Sequence, residues 1–452
     1  MANKARAKKV KVPYRKYTAG QGFSQVTFSK ESHRNRQKAN IRSSRTGVKR
    51  GDGSDIDESK DEVDSNTSVS EEVDGIENVD SEIEDIVEYS QAKKEVDIPV
   101  QKNGAMRLPW EIQKMILQRC ETIETCYLRV CKVWYEICIP LLYYKPVLNT
   151  RNFNKFVNQA LGDKKKCIGD NVYELDLSPI LQSGRHSHLS RVLRRCSPNL
   201  QKFTAPQTSF GYAPLISLKS CHQLRYLDLG LVSETVKLKE LFAAIKNFTC
   251  LTHLAFPRSS VDCEGYQDIE WPKNLTYLKL SGGISNEFLV ETQWPKTIKT
   301  LEFSYCPRID EHAIYTVLSQ IGDNLTQLYF YYPLPCLREN SLDFVFRYCT
   351  NLISIQLIVD YCSRWLFSEN MLTLLQGRQR PLKTIYLECS GALGLASKIH
   401  PDDFTIAILE GRLPRLRNIR VSSKIGWDMK SEDVEDLVNA FEDQDGSLYL
   451  GY

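Results

Sequence analysis

The chain has 452 residues, 42% of them hydrophobic, so it can form about two to four domains of roughly 100–200 residues each. We expect no secretory signal and no membrane partner, because the first 20 residues lack an apolar stretch. No run approaches the roughly 18 apolar residues that a membrane helix needs. The 14 cysteines show no zinc-ligand spacing and are expected to be reduced thiols rather than a disulfide framework.

The net charge of +3 conceals two opposite blocks in an N-terminal tail, residues 1–103, that we expect to be disordered. Residues 1–50 hold 15 Lys/Arg and one acidic residue, whereas residues 51–97 hold 18 Asp/Glu and three lysines. The basic stretch from Lys4 to Lys16 suits a nuclear-import signal, an arm that contacts nucleic acid, or simply a solvated tail. We therefore expect a location in the nucleus and/or cytoplasm, with nucleic-acid contact possible only through this tail.

Residues 104–148 are predicted to form a small, all-α segment. Pro109 is expected to open the first helix, and Pro140 to end the second. About 45 residues lie near the lower size limit of an independent domain, yet this segment is rich in large apolar side chains. Three short helices cannot hide all of them from water, so the surplus is expected to face another surface.

The spacing of particular residues in this segment resembles the F-box, over about one tenth of the chain. The residues that carry the resemblance are Leu108-Pro109, Glu111-Ile112, Ile116-Leu117, Val130-Cys131-Lys132, Trp134-Tyr135, Pro140 and Leu142-Tyr143. Trp110 departs from the pattern, and so does Gln113, which stands where an aliphatic residue is common.

The resemblance implies binding to the Skp adaptor of a Skp–cullin–F-box (SCF) ubiquitin ligase and, through the adaptor, to cullin. The implied adaptor-binding residues are Leu108, Pro109, Ile112, Ile116, Val130, Cys131 and Trp134. Packing against the following domain is the alternative for each of them, and for Trp134 an internal position is preferred.

A six-residue phrase recurs ten times in residues 149–452, with apolar side chains at its first, fourth and sixth positions. The copies are VYELDL at 172, LQKFTA at 200, LRYLDL at 224, LTHLAF at 251, LTYLKL at 275, IKTLEF at 298, LTQLYF at 325, LISIQL at 352, LKTIYL at 382 and LRNIRV at 416. Positions four and six share one face of a strand. The copies start 23 to 34 residues apart, and the phrase resembles the L-x-x-L-x-L of leucine-rich repeats.

The predicted fold is therefore α/β: a leucine-rich-repeat solenoid of horseshoe form, preceded by the F-box and the tail. Parallel strands would line a concave surface, and helices such as Asp310 to Gly322 the convex one, with Asp310 as the N-cap and Gly322 as the stop. Trp271 and Trp294 begin two tight neighbouring units, and a C-terminal helix after Ser431 is expected to cover the last coil. Several cysteines are expected to be buried between coils: Cys196, Cys221, Cys250, Cys306 and Cys349.

Tyrosine recurs at strand positions that would point into the concave surface. The predicted substrate-binding residues are Tyr226, Tyr277, Tyr329, Tyr331 and Tyr386. Tyrosine gives a large contact area at low entropy cost and suits a protein or peptide partner, although aromatic residues are also common in strands for packing reasons.

The leading hypothesis is a non-catalytic substrate receptor of an SCF-type ubiquitin ligase, with unknown protein substrates. The alternative is a ligase-independent F-box scaffold subunit in a chromatin or kinetochore complex. An enzyme is not expected, because the sequence contains no phosphate-binding loop, nucleophile elbow or metal-binding spacing. We accordingly expect no catalytic residues, cofactor or metal.

Overall fold

The structure is a computed structural model that describes residues 108–451, with gaps at 121, 163–167, 182–185, 208–209, 259–260, 393 and 443. The predictions for the tail, including the Lys4 to Lys16 segment and the acidic block, lie outside the described residues. The described part is α/β, with a long parallel sheet, as the sequence predicts.

The helical segment contains α1 (Trp110–Arg119) and α2 (Lys132–Tyr144), joined through a 3-10 turn at Thr125–Arg129. Pro109 is the cap residue directly before α1. The prediction that Pro140 ends the second helix is wrong, because α2 continues through it. A proline costs the helix one backbone hydrogen bond. The side chains beyond it offset this loss by packing on hydrophobic cores, Leu141 on the small core of this segment and Tyr143 on that of the repeats.

Eleven strands form one sheet in which every pair is parallel, and two further short strands pair separately. The strands are β1 (Glu174–Asp176), β2 (Lys202–Thr204), β3 (Tyr226–Asp228), β4 (Val236–Lys237), β5 (His253–Ala255), β6 (Val261–Asp262), β7 (Tyr277–Ser281), β8 (Thr300–Ser304), β9 (Gln327–Tyr331), β10 (Ser354–Ile358), β11 (Thr384–Glu388), β12 (Asn418–Val421) and β13 (Ser447–Leu450). The separate pair is β4 with β6, and the other strands follow chain order across the main sheet.

Helices precede or connect most of the strands. They are α3 (Phe153–Leu161), α4 (His186–Cys196), α5 (Tyr212–Leu218), α6 (Leu238–Ile245), α7 (Asn286–Glu291), α8 (Glu311–Ile321), α9 (Val345–Tyr348), α10 (Pro401–Leu409) and α11 (Glu432–Glu442). As predicted, Asp310 caps α8, since its side chain accepts a hydrogen bond from Ala313 N at 2.9 Å, and Gly322 ends this helix.

The repeated apolar positions form the core of the sheet. All thirty side chains at the first, fourth and sixth phrase positions are at most 1% exposed. Successive units are also joined by side chains: Asn274 Nδ2 donates to Thr249 O at 2.7 Å, and Asn351 Nδ2 to Asp323 O at 2.7 Å. One unit cannot bury its own apolar edge, so stacking of units is what creates this core.

The two Trp-Pro-Lys units are close neighbours, as predicted. The rings of Trp271 and Trp294 have centroids 5.2 Å apart. Each unit makes the same local turn, with Leu275 N donating to Pro272 O at 3.2 Å and Ile298 N to Pro295 O at 3.3 Å.

Cysteine burial is confirmed at four of the five predicted positions, and the described cysteines are all free thiols. Cys250 is the exception: it is only half-buried, since it lies at the exposed edge of its unit beside Thr249. Burial raises the pKa of both the Cys221 and the Cys306 thiol to about 12, which fits a packing role rather than a reactive one.

The C-terminal end contains one more unit than the ten phrases indicate. The predicted helix is present as α11, and Ser431 Oγ accepts a hydrogen bond from Val434 N at 3.4 Å. β13 then follows and pairs with β12, so the last strand of the sheet is an eleventh one. None of the helices in the described part of the chain combines the length and the hydrophobicity that a membrane span requires.

Candidate functional site

The helical segment has a small core of its own. Leu117, Ile137 and Cys138 are buried, and five partly buried apolar side chains pack around them. Trp134 is one of these five, and its ring is nearly perpendicular to that of Tyr127, with the centroids 5.9 Å apart. Trp134 is therefore partly buried and packs against this small core.

Gln113 explains one departure from the F-box pattern. Its Oε1 accepts a hydrogen bond from the Trp134 indole Nε1 at 2.9 Å, and its Nε2 donates to Leu108 O at 2.7 Å. The amide thus satisfies a part-buried indole and ties the start of the segment to α2, which an aliphatic side chain could not do.

The remaining predicted adaptor-binding residues are at the surface. Leu108, Ile112, Ile116 and Val130 are 54%, 40%, 49% and 58% exposed, although all four are aliphatic. Pro109 and Cys131 are also exposed, and the Cys131 Sγ caps α2 by accepting from Trp134 N at 3.5 Å. Large apolar side chains clustered at a surface are typical of a protein-interaction site.

Between residues 108 and 135, four further large apolar residues are exposed that sequence reasoning did not assign to the adaptor site. They are Trp110, Met115, Val133 and Tyr135, at 55%, 56%, 40% and 36% exposure. The sequence feature that could have identified them is the high density of apolar residues in and around α1. In the structure, the only buried residue of α1 is Leu117. A helix that leaves several large apolar side chains exposed in this way is expected to be covered by a partner. We call these four residues and Leu108, Ile112, Ile116 and Val130 together the adaptor face.

The helical segment is joined directly to the first repeat. Tyr144 stacks on Tyr173 with centroids 4.8 Å apart, and Tyr173 N donates to Tyr144 O at 3.0 Å. Lys145 Nζ lies 3.2 Å from the carboxylate of Glu174 on β1. These contacts fix the adaptor face relative to the sheet. An apolar cleft of about 760 Å³ lies near this junction, and Leu117, Leu141, Tyr144 and Phe156 are among the residues that line it.

The register of the strands arranges the polar phrase positions in two rows across the sheet. Position three gives Glu174, Lys202, Tyr226, His253, Tyr277, Thr300, Gln327, Ser354, Thr384, Asn418 and Ser447. Position five gives Asp176, Thr204, Asp228, Ala255, Lys279, Glu302, Tyr329, Gln356, Tyr386, Arg420 and Tyr449. We call these two rows the sheet face.

The five predicted tyrosines are all half-buried, but they do not form one row. Tyr226 and Tyr277 belong to the position-three row, Tyr329 and Tyr386 to the position-five row, and Tyr331 lies two residues beyond. Positions three, five and seven of the phrase all point to the same face of the sheet, because side chains alternate along a strand. They lie at different distances along the strand, so the five tyrosines are spread over that face.

At least three of the tyrosine hydroxyl groups are committed to internal hydrogen bonds, one of them Tyr277 to Glu302. Tyr226 donates to the Asp228 carboxylate at 3.2 Å, and the Tyr329 and Ser354 hydroxyls are 3.3 Å apart. Tyr226 and Tyr277 also flank the His253 ring, with centroid distances of 5.7 and 5.2 Å. This part of the sheet face therefore offers ring surfaces more than free hydroxyl groups.

A buried acid lies in the middle of the sheet face. Glu302 is 4% exposed, and Lys279 Nζ is 3.6 Å from its carboxylate. Burial raises the pKa of Glu302, while Lys279 and a hydrogen bond from Tyr277 act in the opposite direction. Lys279 also lies over the Tyr331 ring, 5.4 Å from the centroid.

Three side chains near the C-terminal end could approach a metal ion, although the sequence shows no metal-binding spacing. His400 lies between two carboxylates, with Nδ1 3.3 Å from Asp402 and Nε2 3.4 Å from Asp433. All three side chains are close to half exposed. The contacts tie α10 to α11 and need no ion to explain them.

Comparison with known proteins places these features in a family. The chain is 56% identical to the F-box protein YDR306C of Saccharomyces cerevisiae over an alignment of 485 residues, which covers 100% of both chains. It is 31% identical to Protein pof5 of Schizosaccharomyces pombe over 72% of this chain and 90% of that protein. No family model matches.

Among solved structures, the leucine-rich repeat-containing protein LegL7 of Legionella pneumophila is similar with a TM-score of 0.35. The superposition covers 64% of this chain and 88% of LegL7, at 14% identity. The repeat architecture is assigned instead from the ten phrases and the parallel sheet that they form. With full-length identity of 56% to a known member, the chain belongs to the F-box protein family.

Proposed function

We propose that this protein is the substrate-recognition subunit of an SCF-type E3 ubiquitin ligase. The adaptor face binds the Skp adaptor, and the sheet face binds target proteins. The observation that carries the proposal is the exposure of eight large apolar side chains between residues 108 and 135 of the helical segment. Exposed apolar clusters of this size are unusual on a soluble monomer, and burying them gains roughly 25 cal/mol per Å² of apolar surface.

The connection between the two surfaces supports the same proposal. A receptor of this kind performs no bond chemistry; it raises the local concentration of the target near the ubiquitin donor and sets its orientation. Orientation requires a stiff link, and the Tyr144–Tyr173 stack with the Lys145–Glu174 ion pair supplies one between α2 and β1.

The test is adaptor capture by the full chain and by the Leu108→Asp variant. A charge at this 54% exposed position cannot be buried against an apolar partner without a large desolvation cost, so adaptor and cullin should disappear from the purified complex. Leu374→Asp, at a 63% exposed leucine in the repeats, is the matched control and should capture both.

Three results separate the possibilities. Equal capture by Leu108→Asp and wild type would refute the assignment of the adaptor face. Capture that is lost, together with targets that accumulate in the variant, is the result expected of a ligase receptor. Capture that is lost without any change in the turnover of bound proteins would favour the ligase-independent scaffold instead.

A further inference from the structure

The C-terminal half of the sheet face differs in chemistry from the N-terminal half. Six successive strands, β8 to β13, present a neutral hydroxyl or amide side chain at position three. These side chains are Thr300, Gln327, Ser354, Thr384, Asn418 and Ser447. Neighbouring strands lie about 4.8 Å apart, so these groups are regularly spaced across the sheet. Thr300 already donates to Gln327 at 3.0 Å, and Ser354 lies 3.3 Å from the Tyr329 hydroxyl. Among the described residues, the side chains of Thr384, Asn418 and Ser447 make no hydrogen bond to the protein, so the β11 to β13 end of the row offers free groups.

One cation lies beside this row. Arg420 is flanked in register by Tyr386 on β11 and Tyr449 on β13. Its guanidinium carbon is 5.6 Å from one ring centroid and 5.2 Å from the other. Two aromatic neighbours hold the guanidinium plane in a restricted orientation, which lowers the entropy cost of using it to bind a ligand.

The outer edge of this guanidinium is available to a ligand. Its Nε is buried and has no hydrogen-bond partner. The Arg420 residue as a whole is only half-buried, and among the described residues neither of its Nη atoms donates a hydrogen bond to the protein. No carboxylate of the described residues forms an ion pair with Arg420, not even Glu388 on the neighbouring β11.

Each lysine of the sheet face has an acidic partner, although Lys202 shares its partner Glu174 with Lys145. Lys202 Nζ lies 2.7 Å from the carboxylate of Glu174, and Lys279 pairs with the buried Glu302. Arg420 differs from both lysines of these rows. Among the described residues it lies between two aromatic rings and has no acidic partner.

We propose that Arg420 receives the carboxylate of an aspartate or glutamate side chain in an extended segment of the target protein. The segment lies across β8 to β13, with its polar backbone against the row of hydroxyl and amide groups. This inference rests on the proposed function of the sheet face as the target-binding surface.

Charge matching selects a carboxylate rather than a phosphate. A single guanidinium balances one negative charge, and its two Nη groups match a carboxylate in the bidentate geometry that arginine prefers. A phosphorylated side chain carries about −1.5 to −2 charges and would call for a second cation, but Lys279 is held by Glu302.

The experiment selects a displayed library of random peptides on the purified full chain and measures the affinity of the enriched peptides. We expect one position that is fixed as Asp or Glu. Changing it to Asn or Gln should weaken binding to the wild-type protein by at least about tenfold, as expected for a charge-assisted bidentate pair. This step needs no protein variant, so a folding defect cannot produce the result.

Protein variants then locate the carboxylate. Arg420→Gln should weaken binding of the acidic peptide by the same factor as the change of the peptide's acid to an amide. Binding of the amide peptide should be no weaker to Arg420→Gln than to the wild type. Arg420→Lys should recover only part of the affinity for the acidic peptide. Lys202→Gln removes an equal charge from the same face at a paired position and should leave the affinity unchanged. Thermal unfolding of each variant reports whether the sheet is intact.

Several outcomes would overturn the inference. They are the enrichment of no peptide, no fixed acidic position, equal losses for Lys202→Gln and Arg420→Gln, dependence on a free C-terminal carboxylate, or a preference for phosphopeptides. Binding that occurs only after deletion of residues 51–97 would identify this chain's own acidic block as the occupant. The Leu108→Asp variant should bind the same peptides as the wild type, so failure here is distinguishable from failure of adaptor binding.

Discussion

The Trp134 indole donates its hydrogen bond to Gln113, across the interface between α1 and α2, with 2.9 Å between nitrogen and oxygen. The bond occupies a position where the F-box pattern usually has an aliphatic residue, and it leaves Trp134 internal while the aliphatic residues around it face solvent. This division between an internal tryptophan and an external apolar face is what makes the segment a candidate docking element.

Loss of this bond should destabilise the helical segment. In Gln113→Leu, the Trp134 indole and Leu108 O both lose their partners, at an expected cost of about 1–2 kcal/mol in the free energy of unfolding. Urea unfolding followed by tryptophan fluorescence measures it. Gln118→Leu, at an exposed position of the same helix, is the matched control. A Gln113→Leu protein as stable as the control would contradict this role of Gln113.

The residues of the adaptor face that sequence reasoning missed should also contribute to adaptor affinity. Val133 is 40% exposed at the start of α2, and Met115 is 56% exposed on α1. Val133→Asp and Met115→Asp should each weaken binding to the purified Skp adaptor by at least about tenfold, since a buried unpaired charge costs more than 1.4 kcal/mol. Wild-type affinity in both variants would limit the interface to the predicted residues.

Gly322 should tolerate no side chain, although its backbone is not left-handed. A Cβ at this position would lie 2.5 Å from Tyr348 O, a backbone atom that cannot easily move. Gly322→Ala should therefore destabilise the repeats by about 1–3 kcal/mol. Gly283→Ala, where the nearest atoms lie at 3.9 Å, is the control and should be nearly neutral in thermal unfolding.

Glu302 should make stability depend on pH in a defined direction. Its pKa is raised in the folded protein, mainly by burial, so the folded state holds this proton more tightly than the unfolded state does. The contribution of Glu302 is therefore most favourable at low pH and declines as pH rises from about the ordinary value of 4.5 through the raised pKa. The wild type should lose stability relative to Glu302→Gln over this range in urea titrations, and the opposite trend would contradict the assigned cause.

The repeats could be predicted from sequence because every unit must bury apolar side chains at the same phrase positions. The three apolar phrase positions must all enter the core, so their spacing is visible without a structure. The eleventh strand, β13, was not predicted, because its phrase begins with Asp445 instead of an aliphatic residue. The pair β4 and β6 is only two residues long on each side and leaves no comparable pattern.

The candidate sites were less predictable, because they depend on where side chains find partners. The F-box pattern indicated which residues are apolar, but only the packing of α1 on α2 decides that Trp134 is inside and Trp110 outside. The tyrosines could be placed on one face by strand alternation. Their division between two rows, and the placement of Arg420 between Tyr386 and Tyr449, depend on strand register and on a strand that the sequence did not reveal.

The proposed function requires a second polypeptide to cover the adaptor face. Hydrogen–deuterium exchange of the full chain, with and without the purified Skp adaptor, tests it most directly. We expect new protection that is concentrated in residues 108–135, with the strands β1 to β13 unchanged. Unchanged exchange in residues 108–135, or protection confined to the sheet, would contradict the proposed role of this helical segment.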